Sequence, residues 1–205
     1  MEQTQHPHEE LAHIRKIMAD SRGQIADDGK PSIIWGMIVC LGLLYTYYEA
    51  VNADAPKISG WVWLGLSVCG WIYMFAWVRR KRRRQKVQTF AGRVTGAIWG
   101  SVGISITLFV FATQASYLVD RPIELHPIFI TYVISFFLGI GFYVSGILYE
   151  IPWLRWVGVA WWATALVYIF FPGLHSLLIF AGAEFVLQVV PGIMLQRKYR
   201  SAQLS

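Results

Sequence analysis

Six long apolar runs decide what this chain can become. They are Ile33–Val51, Ile58–Val78, Val94–Ala115, Pro127–Tyr149, Trp153–Phe171 and Leu174–Leu195. A hydrocarbon layer ~30 Å thick is crossed by a helix of about 20 apolar residues, within a range of ~17–25. Each run falls in that range. The runs are continuous rather than alternating, which argues against strands, and in lipid every backbone N–H and C=O must be satisfied within its own segment. The expected fold is an all-α membrane protein, a bundle of six transmembrane helices. Composition agrees: 56% of residues are apolar and 15% charged, against ~25% charged in an ordinary soluble domain.

Charge orients the runs. If the six helices alternate, one side collects Arg15, Lys16, Arg22 and Lys30, the run Arg79–Arg84 with Lys86 and Arg93, Arg155, and Arg197, Lys198 and Arg200. That is sixteen of the 18 Lys and Arg residues; only Lys57 and Arg121 lie on the other side. Positive loops stay in the cytoplasm. Both termini are therefore expected there, in a multi-pass protein of the cell inner (cytoplasmic) membrane. The net charge of +6 does not indicate nucleic acid, because the positive residues gather where apolar runs end and carry no interleaved aromatics. No apolar segment precedes the first run, so that run is expected to act as an uncleaved anchor.

Three regions follow: a cytoplasmic amphipathic arm over 1–31, the transmembrane bundle over 32–196, and a short basic tail over 197–205. Within the arm, Glu9–Ile25 reads as an N-terminal amphipathic helix, with Leu11, Ile14, Met18 and Ile25 at helical spacing. It suits a helix on the inner leaflet, one docked on a membrane or cytoplasmic partner protein through residues 9–25, or one folded back on its own bundle. Pro and Gly mark the turns at Asp54-Ala55-Pro56, Asp120-Arg121-Pro122, Glu150-Ile151-Pro152 and Pro172-Gly173. The last two turns are short, so the fourth, fifth and sixth helices should be antiparallel neighbours. Trp61, Trp63, Trp153, Trp156 and Tyr199 lie near run ends, where aromatic belts form.

Few residues could carry chemistry. Glu184 sits near the centre of the last run, where insertion of a charge costs ~2.5–3.5 kcal/mol and carboxylates usually face a bundle interior or cavity. Gln188 is one turn on, hence on the same face, and Pro191-Gly192 follows, able to break or kink the helix. Such a polar face can bind a solute or proton; it can also be structural glue, a protonated carboxyl hydrogen-bonded to a neighbouring helix. Gly92, Gly96, Gly100 and Gly103 form a small-residue ladder on the third helix, which allows close packing inside the bundle or across a homo-oligomer seam. His126 and His175 stand at outer ends with Glu124 and Asp120 nearby, but without short ligand spacing, so no metal site is expected. Cys40 and Cys69 lie in apolar runs and read as small buried side chains. There is no G-x-S-x-G, Walker A, H-E-x-x-H or dinucleotide turn; no cofactor and no enzymatic activity are expected.

The stretch Leu11–Met37, with Ile14-Arg15-Lys16-Ile17-Met18 before Ser21 and then a first span, resembles the start of small uncharacterised multi-pass proteins of bacterial inner membranes. The six-span size is also similar to substrate-capture subunits of vitamin importers. These resemblances imply topology and no functional residue. Three roles remain: a non-enzymatic membrane subunit or regulatory protein that binds another protein, a small-solute transporter or capture protein using Glu184 and Gln188, and an intramembrane enzyme. The third lacks a second group converging on Glu184.

Overall fold

The computed structural model describes residues 6–56, 58–84, 90–118, 127–171 and 173–201. Its helices are α1 (His6–Val51), α2 (Ser59–Arg84), α3 (Phe90–Leu118), α4 (Pro127–Leu148), α5 (Pro152–Phe170), α6 (His175–Glu184) and α7 (Val190–Ser201). A π turn over Phe185–Val189 joins α6 to α7. The backbone stays in the right-handed helical region on both sides of that turn, so the three segments form one rod from the sixth apolar run. No strand occurs among the described residues. The protein is an all-α membrane bundle.

Among the described residues, five stretches are long and apolar enough to cross a membrane: Gly29–Val51, Ser59–Lys81, Gly92–Ala112, Phe129–Leu148 and His175–Arg197. α5 is not among them; Arg155 and four tryptophans dilute its aliphatic content. Its 19 residues still reach ~28 Å at ~1.5 Å per residue. The outward faces are strongly apolar: Trp61, Phe75, Phe111 and Phe170 are all more than two-thirds exposed, an arrangement lipid tolerates and water does not.

Helices outrun the apolar windows. α2 continues through the basic run to Arg84, and the Lys81 ammonium rests 4.8 Å from the centre of the Trp77 ring. The arm is helical but not a separate element. α1 runs unbroken for 46 residues, across Pro31 and the expected boundary at 31/32. The side chains of Leu11, Ile14, Met18 and Ile25, which form the expected apolar stripe, lie outside the described residues, as does that of Tyr199.

Packing rests on tryptophan set against glycine. Trp35 of α1 lies on Gly70 of α2, and Trp63 of α2 lies on Gly42 of α1. These reciprocal contacts fix the pair as antiparallel. Trp63, expected in a belt, thus turns inward, and its indole N–H donates to Thr46 Oγ1 at 2.9 Å. Trp162 of α5 covers Gly139 of α4, and Trp99 of α3 covers Gly141 of α4 while donating to Ser145 Oγ at 3.1 Å. Between α4 and α5 the backbones approach at glycine: a methyl at Gly158 would stand 2.7 Å from Gly139 O, and one at Gly146 would stand 2.7 Å from Arg155 N. Phe142 and Ser145 of α4 turn instead to Trp99 of α3.

Two loops are well fixed. The α4–α5 turn is a Schellman motif: Glu150 is left-handed (φ 55°), Ile151 N–H donates to Gly146 O at 2.9 Å, Glu150 N–H donates to Ile147 O at 3.1 Å, and Ile151 is buried. Between α1 and α2, Glu49 accepts from Ser59 N–H at 2.7 Å and from Ser59 Oγ at 3.0 Å. It thereby satisfies donors at the start of α2.

Candidate functional site

Pro191 shapes the site from below. It has no N–H, and its ring would collide with the carbonyl four residues earlier, at Leu187. The preceding turn widens: Val190 N–H reaches back five residues to Phe185 O. π turns of this kind recur at functional positions. Here the turn carries Gln188 and immediately follows Glu184. Its backbone is also tied across the bundle, because Ser32 Oγ of α1 donates to Gln188 O at 3.0 Å.

α1 comes close enough to close the site because it is stripped to glycine where it meets α6 and α7. A methyl at Gly29 would lie 2.5 Å from Gly192 O, and one at Gly192 would lie 2.9 Å from Gly29 O. Gly36 faces Gln188 and Val189; a methyl there would stand 3.1 Å from Gln188 Cγ. The start of the first span therefore meets the end of the last, and the two run antiparallel.

Glu184 is 1% exposed and Gln188 2%. Glu184 is the only carboxyl or basic group among the described buried side chains. Its Oε2 has no hydrogen-bond partner, and neither has Gln188 Oε1. Three further buried polar atoms on facing helices are also without one: Ser135 Oγ on α4, and Trp161 Nε1 and Tyr168 OH on α5. The Ser135 and Tyr168 hydroxyls face each other without hydrogen-bond geometry, and the Glu184 carboxyl lies within electrostatic range of the Tyr168 hydroxyl and of the Cys40 thiol on α1. Phe180, one turn before Glu184, packs edge-to-face against both Trp161 and Tyr168, with ring centres 6.0 and 6.2 Å apart.

Each buried polar group left without a partner costs ~1–3 kcal/mol. The unpartnered groups are the Glu184 and Gln188 oxygens, the Ser135 and Tyr168 hydroxyls and the donor-only Trp161 N–H, on α4, α5 and the α6–π turn, with Phe180 packed on Trp161 and Tyr168. Together they can accept hydrogen bonds from, and donate one to, a group inserted among them.

The structure thus brings Glu184 and Gln188 together as their spacing implies and adds Ser135, Trp161 and Tyr168, which sequence reasoning missed. One signal was there: Leu154, Gly158, Trp161, Ala165 and Tyr168 follow a single helical stripe. Gly96 and Gly100 of the glycine ladder seat no neighbour within this chain. Methyl groups at Gly96 and Gly100 would meet nothing within 4 Å, and one at Gly103 would only graze Trp71 at 3.9 Å; Gly92 is half-buried. The glycines that do seat neighbours stand singly opposite large rings or bare backbone, and so show no four-residue repeat. His175 is exposed; His126, Glu124 and Asp120 lie outside the described residues. No protein-family model, curated protein or solved structure matches this chain.

Proposed function

We propose that this protein binds a small solute inside the bilayer, as a carrier or capture protein of a bacterial cytoplasmic membrane, with Glu184 and Gln188 at its site. It acts without covalent chemistry or cofactor, and both termini face the cytoplasm. One observation carries the reading: Glu184 Oε2 and Gln188 Oε1 are buried and unpartnered beside unpartnered groups of α4 and α5. Buried polar atoms normally find partners, and unpartnered polar groups on packed helices inside a bundle suit a ligand site.

The test is thermal stability of the full chain in mild detergent against a broad panel of anionic, cationic and neutral metabolites. A solute that raises the midpoint in wild type and not in Glu184→Gln or Gln188→Ala supports the site. If no class of solute shifts wild type, or every shift survives both substitutions, the reading falls. A second role, a non-enzymatic subunit that docks another membrane protein, draws on Gly96 and Gly100 facing outward on α3. Loss of a copurifying protein on Gly96→Leu, with solute responses intact, would favour it.

A further inference from the structure

We infer that the Glu184 site takes a small organic cation, recognised through an ammonium group that carries N–H donors. The inference rests on the reading of Glu184 and Gln188 as a binding site and adds the chemical class of the occupant. Charge balance comes first. Among the described residues no Lys, Arg or His side chain is buried, so none of them sets a buried countercharge against Glu184. An ionised carboxylate at that depth needs one, because an uncompensated buried charge is strongly disfavoured.

The donor and acceptor inventory narrows the class. With Glu184 ionised, its Oε2 and Gln188 Oε1 only accept, the Ser135 and Tyr168 hydroxyls can accept or donate, and the Trp161 N–H alone only donates. A ligand that supplies several N–H donors satisfies both of the first two atoms; an anion would set its own oxygens against them. A neutral apolar molecule would leave the acceptors bare. A hard metal ion takes about six or more oxygen ligands, more than these side chains offer. The remaining wall is aromatic: Trp161, Phe180 and Tyr168 are all buried, and Tyr132 packs edge-on to Tyr168 with centres 5.8 Å apart. Ring faces attract cations, ammonium groups included.

Four probes that share one phenyl ring and differ in the head group separate the contributions: benzylamine, benzyltrimethylammonium, benzyl alcohol and benzoate, titrated by calorimetry into the full chain in detergent. Benzylamine should bind saturably. Benzyltrimethylammonium, charged but without N–H, should bind more weakly, and the alcohol and benzoate should not saturate. Glu184→Gln, close to isosteric, should weaken benzylamine by about tenfold or more, as loss of a charge-assisted bond does. Tyr168→Phe removes a hydroxyl alone; it should weaken benzylamine several-fold while preserving the order of the four, and it carries the test if Glu184→Gln does not fold. If benzyl alcohol or benzoate binds as well as benzylamine and loses that binding in Glu184→Gln, the cation class is overturned while the site stands. If no probe saturates, or benzylamine binds wild type and Glu184→Gln alike, the cation class is again overturned, and the wider metabolite panel decides whether the site falls with it.

Discussion

Replacing Gly29 with alanine should loosen the bundle at the contact that closes the site. The new methyl would sit 2.5 Å from Gly192 O and 3.1 Å from Gln196 Cγ. Carbon–oxygen contacts settle near 3.3 Å or beyond, so α1 and α7 must part by roughly 0.8 Å. The obstacle is a backbone carbonyl, which cannot rotate away as a side chain can. Overpacking of this sort costs ~1–3 kcal/mol, and alanine's better helix propensity returns up to ~1 kcal/mol, for a net loss of up to about 2 kcal/mol. Gly96→Ala is the control. Nothing stands within 4 Å of its methyl, so propensity acts alone and stabilises by ~0.5–1 kcal/mol. Gly36→Ala should fall between, because the atom it meets at 2.8 Å belongs to the Val189 side chain, which can shift. Unfolding in mixed micelles of rising dodecyl sulfate content, followed by far-ultraviolet circular dichroism, gives the three midpoints. A Gly29→Ala midpoint equal to or above that of Gly96→Ala would refute the close α1–α7 approach and, with it, the seat of Gln188 against Gly36.

Three further outcomes follow from the loops and the charge pattern. Glu49→Ala removes both acceptors from Ser59 and should cost about 1 kcal/mol, read in the same titration; an unchanged midpoint would mean that the cap does not form. Glu150→Gly relieves a left-handed residue worth ~1–2 kcal/mol, partly offset by ~0.4–1 kcal/mol of added freedom in the unfolded chain. Its midpoint should rise slightly, that of Glu150→Val should drop, and the reverse order would count against the Schellman turn. With Cys40 and Cys69 replaced by alanine, a single cysteine at Arg83 should react with an impermeant maleimide only in inverted vesicles. Labelling in intact cells would reverse the orientation drawn from the basic run.

The hydrocarbon-crossing part of the fold was plain in the sequence, because a long apolar run has few alternatives. Helix ends were not. Apolar windows stop where lipid stops, whereas Arg, Lys, Glu and Gln are good helix formers in water, so α2 runs on through Arg84 and α1 begins at His6. The expected region limit at 31/32 falls inside α1, which passes through Pro31. At the site, Glu184 stood out as one carboxyl inside a long apolar run, and Gln188 followed from helical spacing. Ser135, Trp161 and Tyr168 did not, because serines and large aromatics are scattered through every run; only the pairing of α4 with α5 and of α5 with α6 singles out these three. The ladder Gly92–Gly103 shows the opposite limit, for Gly96 and Gly100 meet no neighbour within the chain. Its repeat was regular, but regularity on one helix says nothing about whether a neighbour lies opposite.

The meeting of Gly29 with Gly192 bears on how the polypeptide is made. The two residues are separated by almost the entire length of the chain, so the first span to leave the ribosome finds its partner only when the last has been synthesised. Contacts so distant in sequence form late and slowly. Until then the glycine-lined side of α1 stays open to lipid or to whatever insertion factor holds it. A nascent chain halted anywhere before Leu174 lacks Glu184 and Gln188 altogether, and with them the segment that locks α1 in place.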